Sequence, residues 1–93
     1  MTKSIIQQGD PRCFCCGARM GLERHHVMPG PNRKWSEKFG LWIWACDFHH
    51  RDPKEGVQYN REKADVLKRI AQTAFEGKHS HAEWMEIFRK NYL

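Results

Sequence analysis

The sequence predicts an α+β fold in which a structural zinc ion staples two short strands and a helix, followed by two C-terminal helices. Three observations carry this. Cys13 and Cys16 form a C-x2-C pair followed by Gly17, and Cys46 with His49 forms a C-x2-H pair further along. Two β-favouring segments, LERHHV and LWIWA, lie between the pairs. Beyond Asn60 the apolar residues recur every three or four positions, as on one face of a helix.

Each element has a local reason. Residues 1–12 are mostly polar and read as an N-terminal arm, with Ile5-Ile6 the only apolar run. After the knuckle CFCCG, LERHHV suits a first strand, and MPGP makes a turn. Asn32 is placed to cap a short helix over RKWSEKF that Gly40 closes. LWIWA is apolar on both faces and reads as a buried second strand running into Cys46. From Asp47 a helix begins and ends before DPKEG. Asn60 can cap REKADVLKRIAQTAFEG, whose stripe of Ala64, Leu67, Ile70 or Ala71, Ala74 and Phe75 stops at Gly77. Ser80 with Glu83 forms a capping box for a last helix that runs to the C-terminus, with Trp84, Ile87 and Phe88 as its apolar side.

The chain has 93 residues, which reads as one domain near the size where a hydrophobic core alone gives marginal stability. Within it, 1–12 is the arm, 13–58 the stapled core and 60–93 the helical pair. Domains this small usually add a disulfide or metal staple. No signal-peptide pattern or membrane-spanning stretch is visible, so a soluble cytoplasmic protein is expected. In that compartment thiols stay reduced. Two disulfides would also require one inside the crowded Cys13, Cys15, Cys16 cluster, where the geometry is poor. A metal site is therefore the better account of four cysteines. The net charge of +5 is spread along the chain without a basic tail, which suits a polyanion partner but does not identify one.

Cys13, Cys16, Cys46 and His49 supply the four sulfur and nitrogen ligands that tetrahedral structural zinc requires. Cys15 is the spare thiol, because adjacent cysteines cannot make the knuckle. Two histidine doublets, His25-His26 and His49-His50, remain to be explained. With His49 on zinc, His50 is turned about 100° around the helix and faces the preceding strands, where the first doublet lies. Neighbours on a regular strand point to opposite faces, so one site takes both His25 and His26 only where the strand ends or bends. Met28-Pro29-Gly30 supplies such a bend. His79 and His81, in the turn before the last helix, read as ordinary surface or packing residues, and Trp42 with Trp44 as core or partner packing.

Residues 13–58 resemble the HNH endonucleases of the ββα-metal (treble-clef-like) fold. The resemblance rests on the Cys13/Cys16 knuckle, ERHHVMPG on a first strand, the apolar second strand, and ACDFHH entering a helix. SEKFGL and the closing NYL also look like small phage-encoded HNH-type proteins. The resemblance implies a metal-dependent nuclease that nicks or cleaves DNA, with RNA as the other substrate class, in a bacterial host cytoplasm when phage-encoded. It gives His26 as general base and His25 and His50 as ligands of a catalytic Mg²⁺ or Mn²⁺ ion. Arg24, Arg33, Lys34, Arg51 and Lys54 flank the site as phosphate contacts.

The chain departs from the family pattern in two places. The residue that steadies the base is usually an Asn just before the second strand, where this chain has Gly40 and Leu41. Asn32 is the nearest substitute. Related phage proteins carry a histidine after GV, where this chain has Gln58, a poorer metal ligand. These departures support an alternative: a catalytically silent zinc-stapled module that binds nucleic acid or protein, as a phage accessory or inhibitor protein would. No dimer signal is visible.

Overall fold

The computed structural model describes residues 2–93. Strand β1 (Leu22–His26) pairs antiparallel with β2 (Trp42–Cys46) in a two-stranded sheet. The register sets Leu22 opposite Cys46, Arg24 opposite Trp44 and His26 opposite Trp42. Helix α1 (Arg33–Phe39) lies in the connection between the strands, after a single 3-10 turn at Gly30–Asn32. Helix α2 (Asp47–Arg51) follows β2 without a loop, and α3 (Arg61–Glu76) and α4 (His81–Phe88) complete the chain.

Local chemistry sets most of these boundaries where the sequence places them. Asn32 occupies the N-cap position of α1 without a side-chain cap bond, and Gly40 ends that helix in the left-handed region at φ 71°. Asn60 accepts from the Lys63 backbone N–H at the start of α3, and Ser80 with Glu83 closes the full capping box of α4. Beyond His26 the β1 chain cannot continue its ladder through Pro29. The buried Ser36 hydroxyl takes over, accepting from the Met28 N–H at 3.0 Å and donating to the Met28 carbonyl at 3.1 Å. This pins the strand end to α1.

The core runs through both parts of the chain. Val27, Met28, Leu41, Ile43, Ala45 and Val57 pack in one cluster with Leu67, Ala71, Phe75, Trp84 and Phe88. Trp42 is buried and Trp44 half-buried, in keeping with packing roles. His79 stacks on Phe75, with ring centroids 4.6 Å apart, and pairs with Glu83; His81 pairs with Glu76.

The polar N-terminal arm is bonded along the sheet. Ser4 is buried with its hydroxyl on the Trp42 carbonyl, the Ile5 N–H donates to the Gly40 carbonyl, and Gln7 Oε1 accepts from the Trp44 N–H. With the Phe14 N–H on the Trp44 carbonyl, these bonds close the outer edge of β2, which would otherwise present unpaired backbone groups. One expectation is corrected: the last helix stops short of the C-terminus. Arg89 takes a left-handed conformation at φ 60°, and the tail folds back so that the Trp84 indole donates to the Lys90 carbonyl. Buried Gln72 receives the tail, accepting from the Tyr92 N–H and donating to Asn91 Oδ1.

Candidate functional site

The knuckle is a tight turn in which the Gly17 N–H reaches the Cys13 carbonyl, and Gly17 sits at φ 76°, a conformation glycine adopts without strain. Cys46 ends β2 and caps α2, its sulfur accepting from the His49 N–H. The ligand atoms of Cys13, Cys16, Cys46 and His49 all lie within 4.8 Å of one another. Cys16 Sγ is 3.9 Å from Cys46 Sγ, and Cys46 Sγ is 3.3 Å from His49 Nδ1. Tetrahedral zinc with Zn–S bonds of about 2.3 Å holds its sulfurs about 3.8 Å apart, so the donor set and its spacing fit a structural zinc site. Burial would push the Cys13 thiol up, but hydrogen bonds from the backbone at Cys46, Cys16 and Cys15 outweigh it and bring it down to about 6. A thiol so poised is readily held as the thiolate a metal needs. Cys15 is exposed and takes no part in the cluster.

The His25-His26 doublet lies beside this staple. Strand alternation divides it, as the pleat requires. Glu23 and His25 turn toward α2, where the His25 and His50 rings meet edge to face with centroids 5.3 Å apart. His50 Nδ1 bonds Glu23 Oε1 at 2.7 Å, and Arg51 grips the same carboxylate. Arg24 and His26 turn the other way, toward Trp42 and α1. His26 Nε2 lies 2.7 Å from Glu37 Oε1, and Arg24 holds both oxygens of Glu37 while its guanidinium covers the Trp42 ring at 3.9 Å. Because β1 ends at His26, both rings still reach one shallow cleft of about 290 Å³. It is lined by Arg24, His25, His26, Pro29, Gly30, Arg33, His50 and Gln58.

Charge in the cleft is arranged in layers. Burial, with repulsion from His50 and His26, lowers the His25 pKa to about 4, so its ring is neutral at pH 7 and keeps a lone pair. The hydrogen bond from His26, with Arg24 behind it, holds the Glu37 carboxyl below its ordinary range; His50 and Arg51 do the same for Glu23. Neither carboxylate lines the cleft.

The sequence-derived candidates therefore separate. Cys13, Cys16, Cys46 and His49 converge on one metal site, and His25, His26 and His50 converge on the cleft. Among the described residues no third Cys, His, Asp or Glu joins His25 and His50 at ligand distance. Asn32, the nearest substitute for the base-steadying residue, is the cap residue of α1, forms no side-chain cap bond and does not line the cleft. Glu37 holds the His26 ring instead. Of the expected phosphate contacts, Arg33 lines the cleft with its charge unpaired among the described residues, whereas Arg24 and Arg51 are each held by a glutamate. Lys34 lies over Trp35, and Lys54 is exposed outside the lining. Glu23 and Glu37 were not among the sequence candidates; alternation along β1 puts Glu23 on the His25 face and Arg24 on the His26 face, but no local signal pairs Glu37 with His26.

Comparison with family models, curated proteins and solved structures gives no match. The protein is a compact α+β arrangement, a two-stranded sheet with helices, carrying a Cys3His cluster suited to structural zinc in the manner of treble-clef-like ββα domains. No helix is long and apolar enough to cross a membrane.

Proposed function

We propose that the protein is a zinc-stapled module that binds nucleic acid, DNA foremost, by seating a backbone phosphate in the histidine cleft. The observation that carries this reading is the lining: His25, His26, His50 and Arg33, unpaired among the described residues, contribute nitrogen, Arg24 adds a guanidinium already held by Glu37, and no carboxylate is among the lining residues. Imidazole and guanidinium N–H groups are donors suited to phosphate oxygens, and the net charge of +5 favours approach to a polyanion. In this reading the module is catalytically silent. Two imidazoles without a carboxylate are a poor set for Mg²⁺, which prefers oxygen ligands, and the amide of Gln58 adds little.

A second reading, HNH-type hydrolysis of the phosphodiester bond, draws on a different observation: the ring of His26 is held by Glu37 as a general base would be. His26 would take the proton of an attacking water, and His25 with His50 would hold a divalent ion. That ion would supply Lewis-acid stabilisation of the phosphate, and a two-imidazole donor set suits Mn²⁺ or later first-row ions better than Mg²⁺.

The test is zinc-loaded protein with a labelled DNA duplex and with supercoiled plasmid plus Mn²⁺ or Mg²⁺, beside folded His26→Ala. Salt-dependent duplex binding with the plasmid intact supports the silent module. Relaxed or linear plasmid from the parent, absent with His26→Ala, replaces it with the nuclease reading. Absence of binding to DNA and RNA overturns both and leaves a protein partner as the ligand class.

A further inference from the structure

Four side chains beside the cleft form a connected series. Trp42 supports the guanidinium of Arg24 at 3.9 Å, and Arg24 Nη1 donates to Glu37 Oε1 and Oε2 at 3.1 and 3.0 Å. Glu37 Oε1 in turn lies 2.7 Å from His26 Nε2. The elements at both ends are rigid. Arg24 and His26 sit two residues apart on β1, and Glu37 sits on α1, whose Ser36 is bonded twice to the Met28 backbone. The carboxylate is anchored before it meets the imidazole, and Nδ1 of His26 has no partner among the described residues.

We propose that Glu37 is the positioning residue of His26: it accepts the Nε2 proton, fixes the ring, and leaves Nδ1 as the only basic ring atom. Arg24 belongs to the same device. Its charge is spent on holding Glu37 in place and is not free for a phosphate. A carboxylate behind an imidazole selects the tautomer and stabilises the imidazolium that forms when the other nitrogen takes a proton. The catalytic use of this arrangement rests on the hydrolytic reading above, whereas the holding of the ring does not.

The experiment uses the zinc-loaded full chain with ¹⁵N-labelled histidine, and a plasmid cleavage assay with Mn²⁺ in parallel. In the parent, the His26 nitrogens should report one tautomer with a protected Nε2 proton. In Glu37→Leu that proton should exchange too fast to see, and the two nitrogens should average. Glu37→Gln, which keeps the size and an acceptor oxygen, should fall between them. Where the parent cleaves, Glu37→Leu should lose about 100-fold or more, within the usual range for an impaired general base. An unchanged His26 spectrum in folded Glu37→Leu overturns the assignment of Glu37, whatever the cleavage result. The expected spectral changes in a parent that cuts nothing overturn the hydrolytic reading and leave Glu37 as the anchor of the ring. His26→Gln provides the reciprocal readout independent of any Glu37 variant: the Glu37 side-chain carboxyl signal should then titrate at higher pH than in the parent, and no movement overturns the pairing.

Discussion

The imidazole of His25 meets that of His50 edge to face across the join of β1 and α2, with ring centroids 5.3 Å apart. Glu23 occupies Nδ1 of His50, so Nε2 is the nitrogen left to a ligand, and His25 is neutral at pH 7. Two imidazoles oriented in this way make half a site for a transition metal. Calorimetric titration of zinc-loaded protein with Ni²⁺ or Mn²⁺ should therefore show a second, weaker equivalent. His25→Ala should abolish it, and Glu23→Gln should weaken it by about 10-fold, as loss of a carboxylate behind a metal-binding histidine commonly does.

The Cys3His cluster makes a separate prediction. Cys16→Ser should lose the tightly held zinc, whereas Cys15→Ser should keep one zinc per chain by mass spectrometry, because Cys15 stands outside the cluster. Binding free energy at such a site is folding free energy. A loss of even about 3 kcal/mol would lower Tm by about 15 °C in a domain of this size. An equal loss of zinc in both variants would mean that Cys15 and Cys16 exchange roles.

Gly40 is a tight point of the fold for two reasons. Its φ of 71° lies in the left-handed region, and an added Cβ would clash with the Lys3 carbonyl oxygen. Gly40→Ala should cost about 3 kcal/mol through strain and displacement of the N-terminal arm, read as a fall in Tm. A fall of only a few degrees would mean that the arm is held elsewhere than along β2.

Where the chain writes its structure locally, the sequence is enough. Asn32 and Gly40 bracket α1, Asn60 and the Ser80–Glu83 box start α3 and α4, and the two ligand pairs announce the zinc site within three residues each. What the sequence does not disclose depends on pairing. Glu37 reaches His26 over 11 positions and Glu23 reaches His50 over 27, so their roles appear only once β1, α1 and α2 are set against one another. The arm reads only as polar, and nothing local shows that the Ser4 and Gln7 side chains bond the Trp42 carbonyl and the Trp44 N–H. The end of α4 carries no stop signal, since Arg89 takes the left-handed position that glycine usually marks.

The α4 capping box should carry an acid-sensitive share of stability. The Ser80 backbone N–H, with the Ser80 hydroxyl and His79 behind it, holds the Glu83 carboxyl below its ordinary value of 4.5. A carboxyl depressed in the folded state stabilises above its unfolded pKa and loses that contribution as pH falls through the folded one. Glu83→Gln should therefore lower Tm at pH 7, with the gap to the parent closing once pH drops below 4.5. Thermal melts across pH 7 to 3 test this, and a gap that stays constant would show that the ionised carboxylate is not what the cap uses.

The arginines around the cleft are not equivalent, and salt dependence should separate them. Arg24 is committed to Glu37 and Arg51 to Glu23, whereas Arg33 lines the cleft with no carboxylate partner among the described residues. Each cation that neutralises a DNA phosphate contributes about 0.9 to the slope of log affinity against log salt. Arg33→Ala should reduce that slope by about one unit. Arg51→Ala should leave it nearly unchanged, because Arg51 is held by Glu23 and its removal takes away no phosphate contact. Duplex titrations at four or five salt concentrations distinguish the cases. Equal losses for Arg33 and Arg51 would mean that Glu23 releases its arginine when the phosphate arrives, making the ion pair a latch rather than a fixed support for His50.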